Sequence, residues 1–236
     1  MKLHTKDGSQ IDYQTYGSPT KPALLLLHGN NGSQQDFKAY LPLFAHDFYV
    51  ITQDARGHGQ STNNQLQLNY QLLASDLEEL RVAVNIPTWS ILGYSDGANL
   101  ALRYTLDNPA HVHALVLNAP NLTINGLTKP IVLIASWVEW LLGKLRNIHP
   151  FFEARWQQTG LMFKTPGISK RDLQAVMAPT LVLVGQFDFI KRRHSLNIAH
   201  ALGNGTLYVA PFKTHLFIQF SPLVFSNIVR HFLKEH

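Results

Sequence analysis

Trp89-Ser90-Ile91-Leu92, then Gly93-Tyr94-Ser95-Asp96-Gly97, then Ala98 to Leu106 is the stretch whose reading decides the fold. A short apolar run of strand length passes through G-x-S-x-G directly into a stretch of helical character that ends before Asn108-Pro109. A strand-to-helix turn this sharp forces the serine backbone into a strained conformation. The flanking glycines lack the Cβ atoms that would clash with it. Ser95 is thereby held exposed at a helix N-terminus, where a nucleophile is useful.

Working outward, apolar runs alternate with amphipathic stretches. Ala23 to Leu27, Phe48 to Thr52, Trp89 to Leu92, Ala114 to Leu117, Leu181 to Val184 and Thr206 to Val209 read as strands. Leu72 to Val84 sets Leu73, Leu77, Leu80 and Val84 on one helical face. The first twenty residues read as a hairpin turning at Asp7-Gly8. This alternation predicts an α/β fold, a mostly parallel sheet with helices on both faces. Residues 121–169 break the pattern with no clear strand and read as a helical insertion. Its aromatics Trp137, Trp140, Phe152 and Trp156 either pack the insertion itself or line a substrate pocket.

A serine hydroxyl needs a general base, and the base needs an orienting carboxylate. In sheets of this kind the order is serine, acid, histidine, with the last two on loops beyond strand ends. Of the acids after Ser95, only Asp188 directly follows a strand, through Gly185-Gln186-Phe187. Of the later histidines, His194 and His200 fall in one helix and His231 and His236 in the terminal one. His215 alone follows the last strand, so Ser95, Asp188 and His215 are the candidate catalytic residues. The backbone N–H of Asp96, after the nucleophile, and that of Asn30, in His28-Gly29-Asn30-Asn31-Gly32, are the candidate oxyanion donors. His28 precedes the site in a tight turn and reads as a packing or hydrogen-bonding residue. Gln53 to Ser61 carries a histidine and an aspartate without metal-ligand spacing, so no metal site is assigned. Its Asp54 and Arg56 are expected to pair and fix the loop.

Composition narrows the chemistry further. There are no cysteines, which removes disulfides, thiol nucleophiles and Cys-ligated metals and leaves covalent work to another side chain. The net charge of +5 is spread along the chain, with Lys191-Arg192-Arg193 the densest run, which does not make a nucleic-acid footprint. The N-terminus is polar where an export signal is apolar. The most apolar segment, Ile131 to Leu142, is interrupted by Ser136 and Glu139 and falls short of the ~20 residues that span a bilayer. The expectation is a single cytoplasmic domain over residues 1–236, with no membrane span and no nucleic-acid partner.

Five ordered elements together resemble the α/β-hydrolase family over essentially the whole chain: His28-Gly29-Asn30, Asp54 to Ser61, Gly93 to Gly97 with Asn108-Pro109, Gly185 to Asp188, and Thr214-His215. The resemblance implies an eight-stranded sheet, a small helical cap inserted after the sixth strand at residues 121–169, and a site between the two. It implies a serine hydrolase without cofactor, here read as cleaving carboxylic esters of small to medium, largely apolar substrates. Two other readings remain open. One is a carbon–carbon bond hydrolase or lyase, with Arg146 or Arg155 holding an acidic substrate; the other is a ligand-binding protein of low turnover. Two residues depart from the family pattern, Asp96 after the nucleophile and Thr214 where relatives often have glycine.

Overall fold

A computed structural model of the chain describes residues 1–65 and 67–236. Its strands are β1 (Lys2–His4), β2 (Gln10–Tyr16), β3 (Ala23–Leu27), β4 (Tyr49–Gln53), β5 (Trp89–Tyr94), β6 (Val112–Asn118), β7 (Thr180–Phe187) and β8 (Gly205–Thr214). Its helices are α1 (Leu41–Ala45), α2 (Tyr70–Ala83), α3 (Asp96–Asp107), α4 (Lys129–Leu145), α5 (Pro150–Leu161), α6 (Lys170–Ala175), α7 (Arg192–Ala201), α8 (Phe217–Phe220) and α9 (Pro222–Glu235). The strands form one sheet in the order β1-β2-β4-β3-β5-β6-β7-β8, with β1 and β2 antiparallel and every pairing from β4 to β8 parallel.

Two-residue periodicity explains why the central strands read as unbroken apolar runs. Leu25 and Leu27 of β3 pack on the face covered by α2, α3 and α7, whereas Leu24 and Leu26 pack on the face covered by α1 and α9. β6 and β7 divide in the same way, Leu115, Leu117, Val182 and Val184 against Ala114, Val116, Leu181 and Leu183. α2 starts on Asn69, whose side chain accepts from the Leu72 N–H at 2.8 Å, and buries Leu73, Leu77 and Leu80.

Register decides where chemistry sits. Leu27 pairs with Gly93, and Tyr94 with Asn118, so the loops leaving β3, β5 and β6 emerge side by side. At the next ladder Phe187 of β7 pairs with Thr214 of β8, which makes Asp188 and His215 neighbours as the chain leaves each strand. Ligands of parallel sheets bind at this carboxyl edge.

The loop after β4 differs from expectation, since Asp54 and Arg56 do not pair. Asp54 instead accepts from the N–H groups of Gln34, in the segment after β3 (2.8 Å), and of Gln60 in its own loop (2.7 Å). Buried Arg56 instead reaches Asp76 on α2 through two bonds of 2.8 and 2.6 Å, and Asp7 and Ser9 of the first hairpin at 2.6 and 2.5 Å. A guanidinium with five donors needs several acceptors when buried, and a single loop aspartate cannot supply them.

His28 and His58 pack against each other beneath the site, ring centroids 5.1 Å apart. His28 Nε2 accepts from the Ala55 N–H at 2.9 Å while its Nδ1 faces the Gly29 carbonyl at 2.8 Å, the pattern of a neutral ring. Burial lowers the pKa of both; for His58, with the adjacent His28 adding to the effect, it falls to about 3. In the unfolded chain each titrates near 6.5, so below that pH the unfolded state binds protons that the folded state refuses. Stability is therefore expected to fall as pH drops from about 6.5 toward 3, by up to about 1.4 kcal/mol per pH unit for each histidine. Urea unfolding at a series of pH values checks this. His58→Asn should remove about half of the slope, and a variant with the wild-type slope would contradict the assignment.

Candidate active site

Ser95 sits between β5 and α3 with φ 54° and ψ −115°, a backbone conformation costly for a residue with a Cβ. Three contacts hold it there. Its own N–H donates to the Asn118 carbonyl at 2.8 Å, and its carbonyl accepts the first bonds of α3. The glycines on either side let the chain close so tightly. A Cβ on Gly93 would lie 2.3 Å from the Gly97 carbonyl oxygen, and one on Gly97 would lie 2.3 Å from that of Leu27. Sequence and strain agree at this point, because the turn exists only if both neighbours are glycine.

Ser95 and His215 line a common cavity of about 390 Å³ together with Asn30, Asp96, Leu127, Met162, Phe189 and Leu216. His215 Nδ1 lies 2.9 Å from Asp188 Oδ1, both side chains being almost fully buried. With Nδ1–H donated to the carboxylate, Nε2 is left as the proton acceptor. The imidazole is stacked on Phe189 with centroids 3.8 Å apart and meets Tyr94 at 5.1 Å, so its plane is fixed as well as its tautomer. Asp188 Oδ1 also accepts the Ile190 N–H at 2.9 Å, whereas Oδ2 is buried with no partner among the described residues. An undercompensated carboxylate here favours the imidazolium that proton abstraction would create.

Asn30 and Asp96 are both at the cavity wall, and among the described residues neither backbone N–H is taken by a protein acceptor. Their side chains bond each other, Asn30 Nδ2 donating to Asp96 Oδ2 at 2.8 Å and also to the Gln158 carbonyl of α5 at 2.6 Å. Tyr70 OH donates to Asp96 Oδ1 at 3.1 Å. Burial raises the pKa of the Asp96 carboxyl, opposed by those two hydrogen bonds and by nearby His215. The acid beside Ser95 is thus satisfied by neutral donors and biased away from a bare negative charge at the candidate oxyanion position.

The aromatic residues expected to line the pocket do not. Trp137 and Trp140 are exposed on α4, Phe152 packs edge-on against Phe151, and Trp156 lies under Arg146 with its Nε1 donating to Glu139 at 2.7 Å. The cause is that α4 packs along α5 rather than over the sheet edge, so α5 is the helix that reaches the site. Leu127, Met162, Phe189 and Leu216 supply the apolar wall instead. Phe189 was findable, since it follows Asp188 directly; Tyr70, 26 residues from Asp96, carries no local signal. Arg146 and Arg155 do not line the cavity; Arg155 donates to the Asn31 carbonyl at 3.2 Å.

Residues 22–151 match the family model described as alpha/beta hydrolase fold. The proline iminopeptidase PfmaB of Pestalotiopsis fici is 33% identical over 116 residues, which are 47% of this chain and 41% of that protein. The chain spans about half the length of the curated relatives it matches, 49%, 46% and 41% for three of them. Among solved structures, MGS-M2, an alpha/beta hydrolase enzyme from a Medee basin deep-sea metagenome library, superimposes with a TM-score of 0.87 at 17% identity, covering 99% of this chain and 97% of that one. A meta-cleavage product hydrolase from Pseudomonas fluorescens IP01 gives 0.82 at 18% identity, covering 100% and 97%. A serine elbow on this sheet, the match over more than half its residues and these shared architectures lead to one statement: the chain belongs to the alpha/beta hydrolase fold family.

Proposed function

We propose that the protein is a serine hydrolase that cleaves carboxylic esters of small to medium, largely apolar substrates through an acyl-enzyme on Ser95. The observation that carries this is the pairing of Phe187 with Thr214, which sets Asp188 and His215 in hydrogen-bond contact on the cavity that holds Ser95. In the first step Ser95 Oγ attacks the acyl carbon while His215 Nε2 takes its proton. The tetrahedral oxyanion is held by the N–H groups of Asn30 and Asp96, and His215 then protonates the leaving alkoxide. Water, deprotonated by the same imidazole, releases the acid. A cavity of about 390 Å³ walled by Leu127, Met162, Phe189 and Leu216 supports a compact apolar group.

A second reading, release of an N-terminal residue from a peptide, is favoured by the name of the Pestalotiopsis fici relative and by the exposed Asp36 carboxylate at the cavity rim, where it could meet an α-ammonium group. Cleavage of an acidic carbon–carbon substrate has less support, because no lysine or arginine lines that cavity among the described residues. Parallel assays with p-nitrophenyl acetate, p-nitrophenyl butyrate, prolyl p-nitroanilide and a dicarboxylate diketone separate the three. Ester turnover exceeding the other two is expected; Ser95-dependent anilide release without ester turnover would replace the ester reading with the peptidase one.

A further inference from the structure

α4 buries one residue, Ala135. Leu133, Ile134, Trp137 and Trp140 stand 71%, 59%, 61% and 56% exposed. At 100° per residue they fall, with exposed Lys129 and Lys144, in one sector of roughly 140°. The lysines mark its two ends, about 22 Å apart along the axis. The opposite side of the helix is occupied by α5, through the bond from Trp156 Nε1 to Glu139 and the guanidinium of Arg146 over the Trp156 ring at 4.3 Å. Glu139 is the helix's only acid, and it is turned to that inner side. The outer face is therefore large, apolar and purely positive in formal charge.

Charge chooses the occupant. A second copy related by a two-fold axis would set lysine against lysine, Lys129 opposite Lys144 if the helices ran antiparallel and each opposite itself if they ran parallel. An anionic lipid surface matches both ends at once. Trp137 and Trp140 have rings that suit the acyl boundary, and the indole N–H groups of these exposed side chains suit the wet headgroup layer. No described helix is long and apolar enough to cross a membrane, so the fit is to the surface and not the interior. We propose that α4 lies flat on anionic lipid, with Leu133, Ile134, Trp137 and Trp140 at the acyl boundary and Lys129 and Lys144 on headgroup phosphates. This docking is independent of the chemistry assigned to Ser95.

The test is flotation of the full chain with vesicles of phosphatidylcholine alone and of phosphatidylcholine mixed with phosphatidylglycerol. Binding to the mixed vesicles with a blue shift of tryptophan emission is expected. It should weaken about tenfold or more on pure phosphatidylcholine and in Lys129→Gln/Lys144→Gln, and vanish in Trp137→Ser/Trp140→Ser. All four side chains are exposed, so thermal unfolding should match wild type in both variants. Failure to bind mixed vesicles, or binding that neither variant changes, overturns the proposal. So does a concentration-dependent dimer in sedimentation velocity that Trp137→Ser/Trp140→Ser dissolves, which would assign the face to a second copy.

Discussion

Ser95→Ala is expected to lower kcat for a p-nitrophenyl ester by about 10⁵-fold, with a residual rate from the oxyanion donors and binding alone. His215→Ala should cost about as much, and the pair together little more, because the two act as one unit. Asp188→Asn, which keeps the shape but presents a donor where His215 Nδ1–H needs an acceptor, should cost about 10⁴-fold. The backbone supplies a second readout that separates a nucleophile from an ordinary surface serine. Ser95 holds φ 54°, a conformation glycine adopts without penalty. Ser95→Gly should therefore abolish turnover and yet raise unfolding free energy by about 1 kcal/mol. A fluorophosphonate probe should label the wild-type protein and neither Ser95 variant. Full ester turnover in Ser95→Ala would remove the mechanism altogether.

Arg56→Ala is expected to have the largest effect on stability, a loss of about 3–5 kcal/mol in urea unfolding. Burial opposes the charge on Arg56, but the carboxylates of Asp76 and Asp7 outweigh it and hold the guanidinium charged. Deleting it strands Asp76, a carboxylate with 3% side-chain exposure, and unties the first hairpin from α2. Asp7→Ala should cost only about 1 kcal/mol, since that carboxylate is partly in water. The double replacement Arg56→Met/Asp76→Leu should regain most of the loss, because an apolar pair has no charge left to strand. A double variant as unstable as Arg56→Ala would mean that shape, not charge, matters at this junction.

The sheet's centre was legible because each buried strand is apolar on both faces and is bounded by turn residues, as at Ala23–Leu27 and Trp89–Tyr94. Strand length was less so. The strand read from the sequence stops at Val209, yet β8 continues through Pro211 and Lys213 to Thr214, held by β7 rather than by its own composition. That continuation is what delivers His215 to Asp188. Loop position and order singled out Ser95, Asp188 and His215, and the structure brings Asp188 and His215 into contact on the cavity of Ser95. Side-chain partners across the fold were not legible. Nothing local to Asp54-Ala55-Arg56 says that the arginine will reach residues 7 and 76 in place of its neighbour. The aromatic residues between β6 and β7 misled for a related reason, since hydrophobicity marks what is apolar but not which way a surface helix turns.

Asn30 divides its two amide protons between the carboxyl of Asp96, at the start of α3, and the Gln158 carbonyl, on α5. Gln158 in turn donates to the Gly57 carbonyl, and Asn31 Nδ2 to Thr159 Oγ1 at 3.2 Å. The helices between β6 and β7 are thus not an interchangeable lid. Transplanting that segment from a relative would be a graft with several sutures, two of them tied into the loop that carries Asn30, the proposed oxyanion donor. Substrate preference and transition-state geometry should therefore change together in such chimeras, and lineages that diversify the segment would need to retain an acceptor where the Gln158 carbonyl now lies.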